Sequence, residues 1–114
     1  MLYYFCELFN KMVKVDFGIS KFAIVGMAGY IAPRHLDAIK NSECDLVAAH
    51  DVADSVGIMD RYFPHADFTT DADKFAGILK HGNIDYLTVC TPNYLHCRHS
   101  ILGLRNGMNV ICEK

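Results

Sequence analysis

Residues 21–51, KFAIVGMAGYIAPRHLDAIKNSECDLVAAHD, decide how this chain folds. The run KFAIVG is apolar and stops at Gly26, which reads as a buried strand. In the following YIAPRHLDAIKNS, Ile31, His35, Leu36 and Ile39 share one side at helical spacing, and Pro33 is tolerated because it falls in the first turn. DLVAAHD then reads as a second apolar strand. Strand, glycine-bearing turn, helix and strand in that order make a βαβ unit, whose strands are parallel.

The same alternation continues to the last residue. Asp54 or Ser55 can cap a short helix that runs to about Tyr62 and is stopped by Pro64. ADFTT supplies a brief third strand. Thr70 with Asp73 resembles a capping box that opens a helix closing near Gly82. IDYLTVC, NYLHCRHSILGLRNG and NVICE follow as strand, helix and strand, with Gly107 just past the helix end. Five strands and four connecting helices predict a doubly wound α/β fold with a parallel sheet, whose ligands sit beyond the strands' carboxyl ends. Four segments on that edge therefore carry the functional question: GMAGYIA, HDVAD, CTPNYLH and CEK.

Composition narrows the classes of function. Eleven basic against thirteen acidic residues give a net charge of −2, which leaves no broad basic surface for nucleic acid or anionic membrane. The five cysteines are odd in number and mostly embedded in apolar runs, which argues against a disulfide framework and for a reducing, cytoplasmic setting. Residues 1–20 form an extension ahead of the domain at 21–114. Glu7, Asn10, Lys11 and Lys14 fall at i, i+3, i+4 and i+7, so the extension reads as a short amphipathic helix. It lacks the marks of a signal peptide and is too short of apolar residues to span a bilayer. It can pack on its own domain, or lie on a membrane surface or dock a partner.

The loop VGMAGYIAPRH joins the first strand to the first helix. Glycines there allow a sharp turn and close approach to a pyrophosphate, while unpaired N–H groups and the helix dipole attract the anion. The spacing Gly26-x-x-Gly29-x-x-Ala32 is one residue longer at the front than the usual dinucleotide fingerprint, and alone it is a weak signal. Asp51 strengthens it. It ends the next strand 25 residues after Gly26, where a carboxylate can accept both hydroxyls of an adenosine ribose and repel a 2′-phosphate. No Arg or Lys in DVADSV would neutralise such a phosphate, so the expected cofactor is NAD. In CTPNYLH, Pro92 ends the strand ladder and Asn93 can cap the next helix, while Thr91, Asn93 and His96 could face the nicotinamide half of the crevice. His96, Cys97 and His99 follow no zinc spacing and read as the polar side of a helix, so no metal is expected.

AIVGMAGYIAPRH, TPNYLH and GLRNGMNVICEK, in that order, resemble the N-terminal domain of the glucose-fructose oxidoreductase, inositol dehydrogenase and rhizopine-catabolism family. Within it, the longer glycine loop and GYIAPRH are similar to bacterial UDP-N-acetylglucosamine (or its uronic acid) 3-dehydrogenases. The resemblance covers residues 21–114. It implies a Rossmann-type domain with Gly26, Ala28, Gly29, Tyr30 and Ile31 around the pyrophosphate, Asp51 at the adenosine ribose, and Thr91, Pro92, Asn93, His96 and Glu113 on the nicotinamide side. Glu113 and Lys114 match the first two residues of the family's Glu-Lys-Pro motif, which implies that Lys114 helps remove the proton of the sugar hydroxyl as hydride leaves. Arg34, like His35, is a further candidate for substrate contact, although His35 reads better as a packing residue.

Family members continue into a second α/β domain that supplies most sugar contacts and the usual oligomer interface. On that basis the 114 residues are expected to be truncated before the substrate domain and inactive alone, with a nucleotide sugar as partner of the full-length enzyme and self-association through the apolar edge or the N-terminal helix. The competing expectation is a stand-alone, non-catalytic nucleotide-binding or protein-interaction module. A short-chain dehydrogenase reading fits less well, because TPNYLHCRH lacks the Tyr-x-x-x-Lys pair.

Overall fold

The computed structural model describes residues 19–114. The helix expected over residues 1–20 falls on residues outside that range, apart from Ile19 and Ser20, which are irregular. From Lys21 the elements are β1 (Lys21–Val25), α1 (Ala32–Asn41), β2 (Asp45–His50), α2 (Val56–Tyr62), β3 (Asp67–Thr69), α3 (Ala72–His81), β4 (Tyr86–Val89), α4 (Asn93–Arg105) and β5 (Asn109–Cys112). All pairings are parallel and the order across the sheet is β3-β2-β1-β4-β5. From Lys21 onward, the expected five strands and four helices all form.

Alternating strand residues feed two cores, one on each face of the sheet. Phe22, Ile24, Leu46 and Ala49 pack with Ala32, Leu36 and Ile39 of α1 and Met59 of α2. Ala23, Val25, Ala48, Leu87 and Val89 pack with Phe75 and Leu79 of α3 on the other face. Burying both faces explains why β1 and β2 read as near-continuous apolar runs rather than as alternating ones. Gly103 lets α4 lie close to the sheet, since a Cβ there would come within 2.9 Å of the side chains of Leu87 and Val110.

Register brings the strand ends level. Val25 pairs with His50 and Val89, His50 with Thr69, and Val89 with Cys112, so these five residues form one row at the carboxyl edge. The ladder continues one step beyond, through Gly26 N–H to His50 O (2.9 Å), Cys90 N–H to Val25 O (2.8 Å) and Glu113 N–H to Val89 O (3.0 Å). Every expected functional loop therefore springs from a pinned position.

Helix starts differ from the sequence reading in two places, and at a third the structure chooses between the two residues offered. Asp71, not Thr70, caps α3: its Oδ1 accepts from Asp73 N–H (2.9 Å) and Lys74 N–H (3.2 Å), and its own N–H donates to Thr69 Oγ1 (3.1 Å). A carboxylate can accept both first-turn donors at once, which a hydroxyl at Thr70 could not do from one residue earlier. Asn93 caps nothing. Pro92 is the last extended residue (φ −56°, ψ 153°), so Asn93 is already the first helical residue and its amide lies past the capping position. At α2, Ser55 makes no side-chain cap; Asp54 Oδ1 accepts from Val56 N–H at 3.2 Å instead.

Candidate functional site

Gly26 opens the loop after β1 with φ +92°. Its missing Cβ lets the loop lie against the end of β4, where a Cβ would sit 2.5 Å from Cys90 C and Thr91 N. Gly29 N–H donates to Gly26 O (3.2 Å) and Ala32 N–H to Gly29 O (3.1 Å), folding the loop into the start of α1. Asp51 closes it from the other side. Its Oδ2 accepts from Ala28 N–H at 2.8 Å and its Oδ1 from Ala53 N–H at 2.9 Å. The carboxylate at the end of β2 is thus part of the loop's own architecture, a link that spacing alone did not reveal.

A crevice of about 1080 Å³ opens beside this loop, between the ends of β1, β2 and β4 and the helices α3 and α4. It lies at the point where the strand order reverses, between β1 and β4, the place where open α/β sheets bind ligands. Of the expected residues, Gly26, Gly29, Asp51, Thr91 and Pro92 line it. Ala28, Tyr30, Ile31, Arg34, Asn93, His96, Glu113 and Lys114 lie outside its lining. Tyr30 is 93% exposed, and Arg34, Asn93 and Lys114 are exposed as well.

His96 Nε2–H donates to Thr91 O at 2.6 Å, and Thr91 Oγ1 shares a hydrogen bond with His99 Nδ1 at 2.9 Å. Thr91 is therefore held at both its hydroxyl and its carbonyl. Burial first, and then electrostatic repulsion from the neighbouring His50, Arg98 and His96 side chains, pulls the His99 pKa below its ordinary 6.5, which favours the neutral ring. His50 Nδ1–H donates to Thr69 O at 2.8 Å, and its ring stacks on Phe75 with centroids 5.3 Å apart. His50, Arg98 and His99 all line the crevice and were not singled out as site residues. A histidine closing an otherwise apolar strand directly before Asp51 was the available signal for His50. Arg98 and His99 are recognisable only once α4 is seen to form a wall.

On the opposite face of the sheet, Glu113 Oε2 lies 2.7 Å from Nε2 of His35 in α1. Burial pulls the His35 pKa below 6.5 despite the carboxylate beside it, while that hydrogen bond holds the Glu113 carboxyl below its ordinary 4.5. Both shifts have one consequence. As pH falls below about 6.5 the unfolded chain binds a proton at this histidine before the folded chain does, so stability declines, and Glu113 adds to the decline below about 4.5. Thermal melts should show Tm falling steadily from pH 7 towards pH 4; a flat or rising Tm would contradict the lowered His35 pKa. The Cys90 thiol is pushed up to about 12, mainly by burial, and is no nucleophile at neutral pH. Among the described residues no group of three or more His, Cys, Asp or Glu could hold a metal ion, and no helix is long and apolar enough to cross a membrane.

The residues present fit a dinucleotide. The N–H groups of Tyr30 and Ile31 head α1 without a hydrogen-bond partner among the described residues, and Pro33, in the first turn of the helix, has no N–H to offer. Asp51 still has lone pairs free for hydroxyl donors beside the two bonds it makes. Fold and site together define a dinucleotide-binding α/β domain with NAD as its cofactor. The chain belongs to the oxidoreductase family with an NAD-binding Rossmann fold, whose match runs over residues 20–114.

Among solved structures it is similar to the WlbA (WbpB) dehydrogenase from Thermus thermophilus, crystallised with NAD and UDP-GlcNAcA. The identity is 42% and the TM-score 0.80, over 84% of this chain and 33% of that one. The WlbA dehydrogenase from Bordetella pertussis, crystallised with NADH and UDP-GlcNAcA, matches at 26% identity and TM-score 0.71, over 84% of this chain and 28% of that one. Its counterpart from Chromobacterium violaceum, with the same ligands, matches at 25% and 0.72, over 84% and 27%. The chain thus spans about a third of the length of these structures or less.

Proposed function

We propose that these residues form the NAD-binding part of a dehydrogenase that oxidises a hydroxyl, in our reading the 3-hydroxyl, of a UDP-linked N-acetylhexosamine or its uronic acid. The observation that carries this reading is the 42% identity to the Thermus enzyme, whose complex holds both NAD and UDP-GlcNAcA. Five of the expected residues, Gly26, Gly29, Asp51, Thr91 and Pro92, line the crevice and support it. Gly26, Ala28, Gly29, Tyr30 and Ile31 would receive the pyrophosphate at the head of α1, and Asp51 would accept the adenosine ribose hydroxyls. Thr91, Pro92, Asn93, His96 and Glu113 would border the nicotinamide half. Bound NAD supplies the hydride acceptor. Lys114 Nζ would take up the proton of the sugar hydroxyl, and Arg34 is the further candidate for holding the substrate. In this reading the protein works in the cytoplasm, and its sugar-binding surface lies mainly outside residues 19–114.

Two measurements test the two halves of the reading. NADH titrated into the chain should bind at least tenfold more tightly than NADPH, because Asp51 faces a 2′-phosphate with like charge. No NADH binding sinks the cofactor half. For the substrate half, residues 19–114 are grafted in place of the corresponding third of the Thermus enzyme and assayed with UDP-GlcNAcA and NAD, while the 114 residues alone should give no turnover. A graft that folds and binds NADH but reduces no NAD sinks the nucleotide-sugar assignment.

A further inference from the structure

His35 is 2% exposed, and it is a polar group on the apolar side of α1 beside Leu36 and Ile39. Leucine or methionine would fill that space without the desolvation that an imidazole costs. What the imidazole does is reach across to the end of β5. A carboxylate can only accept, so the 2.7 Å contact is Nε2–H donating to Glu113 Oε2. Glu113 is held a second time by its own N–H, which donates to Val89 O at 3.0 Å. With side chain and main chain both fixed, Glu113 sets where the next residue, Lys114, leaves the sheet. The same helix α1 begins at Ala32, directly after the loop whose Tyr30 and Ile31 N–H groups have no partner among the described residues. His35 sits one turn into that helix, so a single hydrogen bond spans the distance between the phosphate-facing loop and the strand end bearing Lys114.

We propose that His35 is a positioning residue for the nicotinamide end of the site, holding Glu113, and through it Lys114, in register with the phosphate-facing loop. The inference rests on the dinucleotide reading and adds to it a residue that touches neither cofactor nor substrate. Its signature is selective. ADP-ribose carries the adenosine, pyrophosphate and second ribose but no nicotinamide, so loss of the His35 link should penalise NADH and spare ADP-ribose.

The test compares wild-type chain, His35→Ala and His35→Gln. Gln places an amide N–H close to where Nε2–H stood and restores the donor without the ring. The expected result is that His35→Ala weakens NADH at least tenfold, leaves ADP-ribose within about twofold, and is rescued largely by His35→Gln. NADH and ADP-ribose weakening together, NADH unaffected, or no rescue by Gln overturns the inference. Carbon-detected NMR of the ligand-free chain gives an independent readout. In His35→Ala the Glu113 carboxyl should titrate at higher pH than in wild type and the Lys114 side-chain signals should shift, with both effects reversed by Gln. Unchanged signals overturn the anchoring. A wild-type chain that binds neither NADH nor ADP-ribose instead removes the dinucleotide reading, and the NMR result still decides whether His35 holds Glu113.

Discussion

Asp51→Ala should cost the chain roughly 30-fold or more in NADH affinity, the equivalent of about 2 kcal/mol. Two losses contribute. In the proposed role the carboxylate accepts charge-assisted hydrogen bonds from the adenosine ribose, each worth about 1.5–3 kcal/mol before solvent screening at this half-exposed position. In the free chain it already holds Ala28 N–H at 2.8 Å and Ala53 N–H at 2.9 Å, so its removal also loosens the loop meant to receive the pyrophosphate. Asp51→Asn separates the two, because its amide oxygen keeps one acceptor for the loop while the charge is lost. The NADPH titration supplies a second readout: Ala and Asn both remove the repulsion of a 2′-phosphate, so the preference for NADH over NADPH should collapse in both. Fluorescence titration of the three proteins with both cofactors decides it. NADH binding within about twofold of wild type in Asp51→Ala would place the ribose elsewhere, since even one charged hydrogen bond is worth more than that.

The fold was legible because β1, β2 and β4 are buried on both faces, and such strands appear in sequence as apolar runs cut by glycine or polar residues. Gly26, Gly29 and Asp51 were legible for a related reason: backbone conformation and position after a strand are local properties. Partnerships between distant residues were not. Nothing in the spacing of His35 and Glu113 announces that α1 crosses the sheet near the end of β5, and that contact depends on the order β2-β1-β4-β5 placing β5 two strands from β1. The reading of His35 as a packing residue was half right, since the ring is buried but also makes a charged hydrogen bond. Asn93 shows the opposite error. Its residue type suits a cap, but Pro92 fixes the chain as extended one residue earlier and moves Asn93 into the helix. His50 is ambiguous in sequence because a histidine next to apolar residues says nothing until the crevice it faces is known, and His99 reads only as the polar side of a helix until α4 is seen to wall that crevice.

The division of the site across the sheet also follows from topology. The crevice lined by Asp51, Thr91 and Arg98 opens on the side of α3 and α4, whereas Glu113 is tied to α1 on the other side. In the proposed reading, a dinucleotide running from Asp51 past the glycine loop towards Lys114 crosses the sheet edge at Gly26, which is tied to β2 by its N–H to His50 O (2.9 Å) and lies against Cys90 and Thr91 after β4. The loop is thus a structural junction, and in the proposed reading it is a phosphate cradle as well.

Gly26→Ala should therefore be the most damaging single substitution in the described residues. At φ +92° an L-residue is strained by about 1–2 kcal/mol. The new Cβ would also lie 2.5 Å from Cys90 C and Thr91 N and 2.7 Å from Cys90 O, all main-chain atoms. No rotamer can relieve that contact. Relief requires β4 to move, and β4 is tied to β1 by the bond from Cys90 N–H to Val25 O at 2.8 Å. Overpacking of this kind adds about 1–3 kcal/mol, giving a total of about 3 kcal/mol or more, which lowers Tm by roughly 12 °C or more in a domain of this size. NADH binding should disappear even in the fraction that stays folded, because separating β1 from β4 displaces the loop. Gly77→Ala is the control. Gly77 lies within α3, and a methyl group added there would meet nothing within 4 Å, so the same chemical change should raise stability by about 0.5–1 kcal/mol through helix propensity. Thermal melts of the two variants beside wild type should move in opposite directions. If Gly26→Ala melts within about 2 °C of wild type, less than about 1 kcal/mol is at stake there, and the β1–β4 junction is not the rigid point on which the site is built.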